Sequence, residues 1–396
     1  MSASRIPRTR TTQAQTTQAQ TTQPRTADAG ARIPDAGAPR AGLGLRAVRL
    51  GPLSAVVRPR RIVVAVALIL VTVLVFAANL GRGDFPMSVP DVLRTLAGGG
   101  TRLEETIVFR WRLGRAVVGL AVGAALAFSG ALTQSVARNP LASPDVLGIT
   151  NGASVAAVFV ITVSGTHGLF GDAAAFGRDA LGVPVVAIIG SVLTAALVWW
   201  VAGRDRGSML RLVLIGVGAS MFLNAISTWL MAGTTLDQAA QARLWLTGSL
   251  NGRGWDQAWA PLICSLAALA LAGWLAFQLA GLSLGPEIAH GLGHRLRVAQ
   301  AGLLLVAVVL AAVAVSAAGP IPFVAFVAPP IAQRLTGAAT PPLWCSALTG
   351  MLLVSAADLV ARTVLPWELP LGIVTAVCGS PVLIWLVLKM NRKASA

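Results

Sequence analysis

LAVGAALAFSGALTQSVARNPLASPDVLGITNGAS, residues 120–154, is apolar and rich in small residues until Ser135, then polar at Arg138 and Asn139, and apolar again beyond Asp145. Pro140 and Pro144 remove two backbone donors and bias Asn139 and Ser143 away from helical geometry. One helix must therefore end here and another begin. Backbone broken at membrane depth is tolerated where it is buried in protein or lines a cavity. The stretch thus reads as a shaped connection in which Asn139 and Ser143 bond the freed backbone groups and stand as candidates for a pathway. An ordinary tight turn is the alternative.

Apolar runs of this kind fill the chain on both sides. Of 396 residues, 55% are hydrophobic and 12% charged, with a mean hydropathy of +0.74, whereas soluble domains carry roughly one quarter charged residues. Crossing about 30 Å of hydrocarbon takes roughly 20 helical residues. Runs of that order fall at 62–80, 115–135, 146–165, 183–203, 210–232, 258–281, 298–318, 321–337, 342–362 and 370–390. The sequence therefore predicts an all-α integral membrane protein with about ten transmembrane helices over residues 62–396. The eighth run is short and holds Pro329 and Pro330. Gly119, Gly123, Ala127 and Ala131 recur every four residues along the second, a stripe that lets helices approach closely in lipid.

The net charge of +16 is concentrated at the start. Residues 1–61 hold eleven arginines against Asp28 and Asp35, and include the repeat TTQAQTTQAQTTQPRT. With no apolar face to bury, 1–61 reads as a disordered, basic, low-complexity cytoplasmic tail held near anionic headgroups, and nucleic acid is not its partner. Basic loops favour the cytoplasm. Arg204, Arg206 and Arg211, then Arg295 and Arg297, then Lys389, Arg392 and Lys393 fall on one side of a ten-span chain together with the tail. Both termini are placed in the cytoplasm and the chain is expected in a bacterial cytoplasmic membrane; the alanine- and arginine-rich composition hints at a GC-rich bacterial genome but is no address. Arg110, Arg112 and Arg115 are the exception, at the outer start of the second span.

No set of residues offers catalysis. Cys264, Cys345 and Cys378 are scattered within spans, and His290 with His294 lacks further ligands, so neither a disulfide framework nor a metal site is read. No cofactor is implied. A phosphate-cradling GxxxxGK[ST] loop needs a lysine, and the chain has only Lys389 and Lys393, neither after a glycine. If transport is driven by ATP, the motor is a separate subunit. Among the acids only Asp358 lies clearly inside a span, four residues before Arg362 with which it can pair. An interfacial ion pair is the expected role; a proton-coupled secondary transporter using Asp358 is the reading from another class.

The opening stretch resembles the signature region of the FecCD-like family, the membrane subunits of type II ABC importers that take up ferric siderophores, haem and cobalamin. The resemblance continues at WLTGSL (245–250), LSLGPEIAHGLG (282–293), GPIPFVAFVAPPIAQRL (319–335), SAADLVARTV (355–364) and ELPLGIVTAVCGSPVLIWLVLK (368–389), covering nearly everything after residue 61. It implies the type II importer permease fold, a second permease subunit, alike or paralogous, around a central pathway, two ATP-binding cassette ATPase subunits below, and an extracytoplasmic solute-binding protein above. Leu284, Gly285, Glu287, Ala289, Leu292 and Gly293 match the segment that docks on the ATPase. Pro286 stands where the family commonly has an acid, and is well placed in a helix's first turn. Arg110, Arg112 and Arg115 match the region that meets carboxylates of the binding protein, with Gly114 replacing the family's proline. Ser208, Met209 and Leu210 match the cytoplasmic gate. Pro330, where relatives usually have histidine, and GAATPPLW before the ninth span are departures expected to bear on the ATPase contact. The resemblance implies a ferric-siderophore permease, with cobalamin or haem as the alternative cargo.

Overall fold

The computed structural model describes residues 46–50, 53–83, 85–164, 168–203, 209–284, 286–291, 293 and 295–394. The chain divides into Met1–Leu45, which lies outside the described residues, and Arg46–Ala396. The expected structureless tail does not extend to residue 61: β1 (Arg46–Leu50) and β2 (Leu53–Val57) pair as an antiparallel ribbon. The β-branched Val48, Val56 and Val57 suit strand pairing. Helix α1 (Pro59–Gly81) follows, opened by Pro59.

From there the chain is helical. Two short helices, α2 (Val89–Leu96) and α3 (Arg102–Glu105), are capped by Ser88 and by the reciprocal Thr101 and Glu104 pair. A wider π-type turn, Thr106–Arg112, leads into α4 (Leu113–Ala137), and α5 (Ile149–Val163) comes after the connection. Next are α6 (Leu169–Phe176), α7 (Gly182–Val201), α8 (Met209–Ala232) and α9 (Leu236–Leu246). The second half holds α10 (Trp255–Ala270), α11 (Ala272–Ser283), α12 (Pro286–Gly291), α13 (Leu296–Ala318), α14 (Val324–Thr336), α15 (Leu343–Thr363) and α16 (Leu371–Ala394).

Each of the ten apolar runs carries a helix. Among the described residues six helical stretches are long and apolar enough to cross a membrane, and α10 with α11 forms a seventh bent by 61° at Leu271. Helices α5 and α14, with 15 and 13 residues, are shorter, as is the apolar part of α16.

Helix α4 is the axis, with nearly every residue from Ala116 to Gln134 buried. Apolar helices gain little from one another in lipid unless backbones come close. The small-residue stripe supplies that: Gly123 of α4 meets Gly350 of α15 backbone to backbone, and Gly350 also abuts Ala127. Ser129 adds a hydrogen bond to the Ala307 carbonyl of α13 at 2.6 Å.

The double proline in α14 is resolved by α4. Pro329 and Pro330 cannot donate to the carbonyls four residues earlier, Ala325 and Phe326. Gln134 Nε2 donates to the Phe326 oxygen at 2.9 Å instead, and the Ala325 oxygen lies against the bare Cα of Gly130. Gly130 and Gln134 are four apart, so one face of α4 serves both orphaned carbonyls. Pro330 is buried in this packing. A methyl on Gly130 would overlap the Ala325 carbonyl. Gly130→Ala is expected to destabilise the bundle by about 1–3 kcal/mol, read as a lowered Tm of the purified protein; an unchanged Tm would refute the close approach.

Candidate functional site

Two ends of the bundle carry the candidate residues. At one, α4 starts beside the last turns of α1 and α15. Arg115 donates from Nη2 and Nε to Asp358 Oδ1 at 2.7 and 3.2 Å and also pairs with Glu368. Arg362 reaches Asp358 Oδ2 at 3.3 Å, so the i,i+4 pair is present, but Arg115 is the nearer partner. Arg362 also donates to the Asn79 side chain and to the carbonyls of Asn79 and Arg82, while Asn79 Nδ2 donates to the Ser355 carbonyl at 2.9 Å. The Asp358 side chain is 3% exposed. Four elements are thus tied by one buried carboxylate and its cations.

Arg112 is equally inward. Its Nη1 donates to the Leu80 carbonyl at 2.7 Å and its Nη2 to that of Phe85, clamping the end of α1. Arg112 and Arg115 are three apart and share the inner face of the α4 start. Of the three arginines assigned to a binding-protein contact, then, two serve inside the chain and Arg110 alone is exposed.

Near the same end three sequence motifs converge. Ser249 N donates to the Ala318 carbonyl at 2.8 Å, and Gly372 N to that of Gly248 at 3.0 Å. Gly248 and Gly319 hold φ of +67° and +74°, and any Cβ on Gly372 would strike the Thr247 carbonyl. WLTGSL, GPIPF and ELPLG therefore knit one knot of backbone, and glycine permits both its left-handed turns and its closeness. Arg253, half-buried beside it, has no partner for Nε among the described residues, and burial pulls its guanidinium below the ordinary value. The sequence reading passed it over; a lone arginine in the glycine-rich NGRGW was the available signal.

At the other end lies the broken connection between α4 and α5. Helix α4 stops at Arg138, whose φ of +50° is left-handed. Asn139 Oδ1 accepts from Leu141 N at 2.9 Å, supplying a backbone partner within the connection. Ser143 is extended and buried, Pro144 opens a short 3₁₀ turn, and Gly148 at φ +75° lets α5 begin. The Arg138 guanidinium donates to the Leu282 carbonyl, joining α4 to the end of α11. Arg138 and Asn139 also line a cavity of about 940 Å³ with Arg58, Arg61 and Trp344.

The segment expected to dock on an ATPase follows α11. Pro286 is the first residue of α12, so the short helix forms around it. Leu284 is exposed and Gly293 takes φ +79°, while Gly285 and Leu292 lie outside the described residues. Glu287 lies on α12. Ala289 is fully buried, so it seats α12 on the bundle, whereas its neighbour Ile288, 58% exposed, points outward and went unnoticed in the sequence. Of the gate candidates, Ser208 lies outside the described residues and Met209 with Leu210 opens α8.

Comparison with known proteins agrees on one family. The FecCD transport family model matches residues 69–389. The ferric enterobactin transport system permease protein FepG of Escherichia coli (strain K12) is 38% identical over 84% of this chain and 98% of its own length. The achromobactin transport system permease protein CbrC of Dickeya dadantii is 39% identical over 83% of this chain and 92% of its own. A solved structure described as an inward-facing conformation of a metal-chelate type ABC transporter superposes with a TM-score of 0.70 at 28% identity, covering 82% of this chain and 99% of that one. With its ten apolar runs, its glycine-mediated helix contacts and this match over most of its length, the chain belongs to the FecCD transport family of multi-pass inner-membrane permeases.

Proposed function

We propose that this chain is the permease subunit of an ATP-driven importer that moves ferric siderophores delivered by an extracytoplasmic binding protein, working with separate ATPase subunits and a second permease. The observation that carries the cargo is the near-full-length similarity to permeases of ferric enterobactin, achromobactin and iron(3+)-hydroxamate systems. Cobalamin and haem are the alternatives within this class.

Charge supports an orientation. The end formed by the start of α1, the end of α4 and the segment around α12 gathers Arg58, Arg60, Arg61, Arg138, Arg295, Arg297 and Arg334, with Asp145 and Glu287 the acids in the same segments. The opposite end mixes both signs, and its Arg112 and Arg115 are bound internally. The apparent exception to the rule of basic cytoplasmic loops therefore weakens, and both termini are assigned to the cytoplasm.

The proton-coupled reading loses its main support, because Asp358 is engaged by Arg115 and Arg362 in a structural cluster. The deciding experiment is uptake of radio-iron on a panel of siderophores, with labelled cobalamin alongside, in a deletion strain and its complemented counterpart. Uptake of iron on one siderophore should fall to background in the deletion, require ATP and survive an ionophore. Loss of cobalamin uptake alone would replace the cargo, and collapse with the proton gradient at high ATP would overturn the mechanism.

A further inference from the structure

The cavity of about 940 Å³ at the basic end has a composition that the transport reading does not use. It opens between the start of α1, the end of α4, the end of α11 and the connection into α15, away from the knot at the other end. Three guanidinium groups, from Arg58, Arg61 and Arg138, stand in its lining without any carboxylate. Its remaining walls are largely hydrocarbon, supplied by Ile62, Ala276 and Leu279 with Trp344.

Some of the polar capacity there is unspent. Arg61 Nε, Gln134 Oε1 and Ser135 Oγ have no hydrogen-bond partner among the described residues. The Gln134 amide is pinned by its bond to the Phe326 carbonyl, so Oε1 cannot swap places with the nitrogen. A buried donor on α1 and a buried acceptor on α4 are both left over among the residues that line the cavity.

We infer that this cavity holds the headgroup and upper acyl chain of an anionic glycerophospholipid. The phosphodiester would accept from Arg58 and Arg61, and the hydroxyls of a glycerol headgroup can donate to an acceptor such as Gln134. Charge selects against the chain's own first residues, which are themselves basic. A lipid has lateral access, because α1 exposes Ile62, Val63, Val66, Ile69 and Leu70 beside the opening. The volume exceeds what one carboxylate side chain of a partner would fill. Basic pockets between spans on the cytoplasmic side are suited to such headgroups.

Binding here has a mechanical consequence. Arg138 ties the same wall to the Leu282 carbonyl, two residues before the docking segment. A lipid seated against α4 and α11 would brace the elements on which α12 rests.

The test uses the full-length chain in nanodiscs of phosphatidylcholine doped with phosphatidylglycerol, with retained lipid counted by native mass spectrometry. Wild type should retain phosphatidylglycerol over phosphatidylcholine by about tenfold or more, and the Arg58→Gln/Arg61→Gln double variant should lose that preference. Arg295→Gln/Arg297→Gln, equally basic but outside the lining, should keep it. Ala276→Phe fills the cavity from α11 without altering charge and should also abolish retention, which guards against misfolding of the arginine variants. Equal loss in the control pair would reduce the effect to diffuse surface charge and overturn the site. Displacement of the lipid by millimolar inorganic phosphate would overturn the lipid source in favour of a soluble anion, and no preference in the wild type would end the proposal.

Discussion

Asp358→Asn is expected to remove most of the folded protein from the membrane while leaving transport per surviving molecule near the wild-type level. Removing one partner of a buried ion pair costs about 3–5 kcal/mol, because the other charge is left uncompensated. Here two cations lose that carboxylate at once. Asparagine keeps an oxygen for Arg115, but its amide nitrogen would face the Arg362 guanidinium, donor against donor. Glu368 then remains as the one carboxylate paired with Arg115 among the described residues. The loss should spread through Arg362 to Asn79 and so to the contact of α1 with α15. Membrane abundance and Tm give the first readout and uptake divided by abundance the second. Adding Arg362→Met should recover part of the Tm, since deleting both members of a buried pair is often close to neutral. Normal abundance with transport abolished would make Asp358 a coupling group and revive the proton-driven carrier.

The same cluster marks the limit of what the sequence disclosed. Ten apolar runs, the break at Pro140 and Pro144, and the first-turn proline of the docking helix were legible, because each depends on local composition or on backbone chemistry at one position. The pairing of Asp358 with Arg362 was legible because four residues separate them on a helix. Arg115 lies 243 residues from Asp358, and no local rule connects them. Arg112 and Arg115 were expected to face outward because they match the region that meets carboxylates of the binding protein in the resembled family. Charge accounting offered a signal: a carboxylate within a span and another just beyond it ask for more than one cation. The service that Gly130 and Gln134 render to the Ala325 and Phe326 carbonyls was also out of reach, since it requires knowing which face of α4 meets α14. Spacing showed that those two residues share a face, but spacing alone does not name the neighbour.

Adjacent residues of α12 should separate assembly from folding. Ile288→Asp is expected to abolish co-purification of the ATPase with Tm unchanged, because the side chain is 58% exposed and points away from the bundle. Removing an apolar anchor and burying a charge in its place both oppose association, and truncating a central apolar anchor alone can cost about 2 kcal/mol or more. Ala289→Leu, one position on, should do the reverse: it overpacks a residue with no exposure and lowers Tm before it affects binding. Gly293→Val should again impair co-purification. Nothing lies within 4 Å of where its Cβ would sit, so the effect would come from φ +79°, which a β-branched residue resists, redirecting the chain out of α12. The three variants make a set that a merely structural loop cannot satisfy. If Ile288→Asp co-purifies normally while Ala289→Leu unfolds the protein, α12 is a packed connection between α11 and α13. Under the proposed function, an ATPase would then have to grip the chain elsewhere on its basic end.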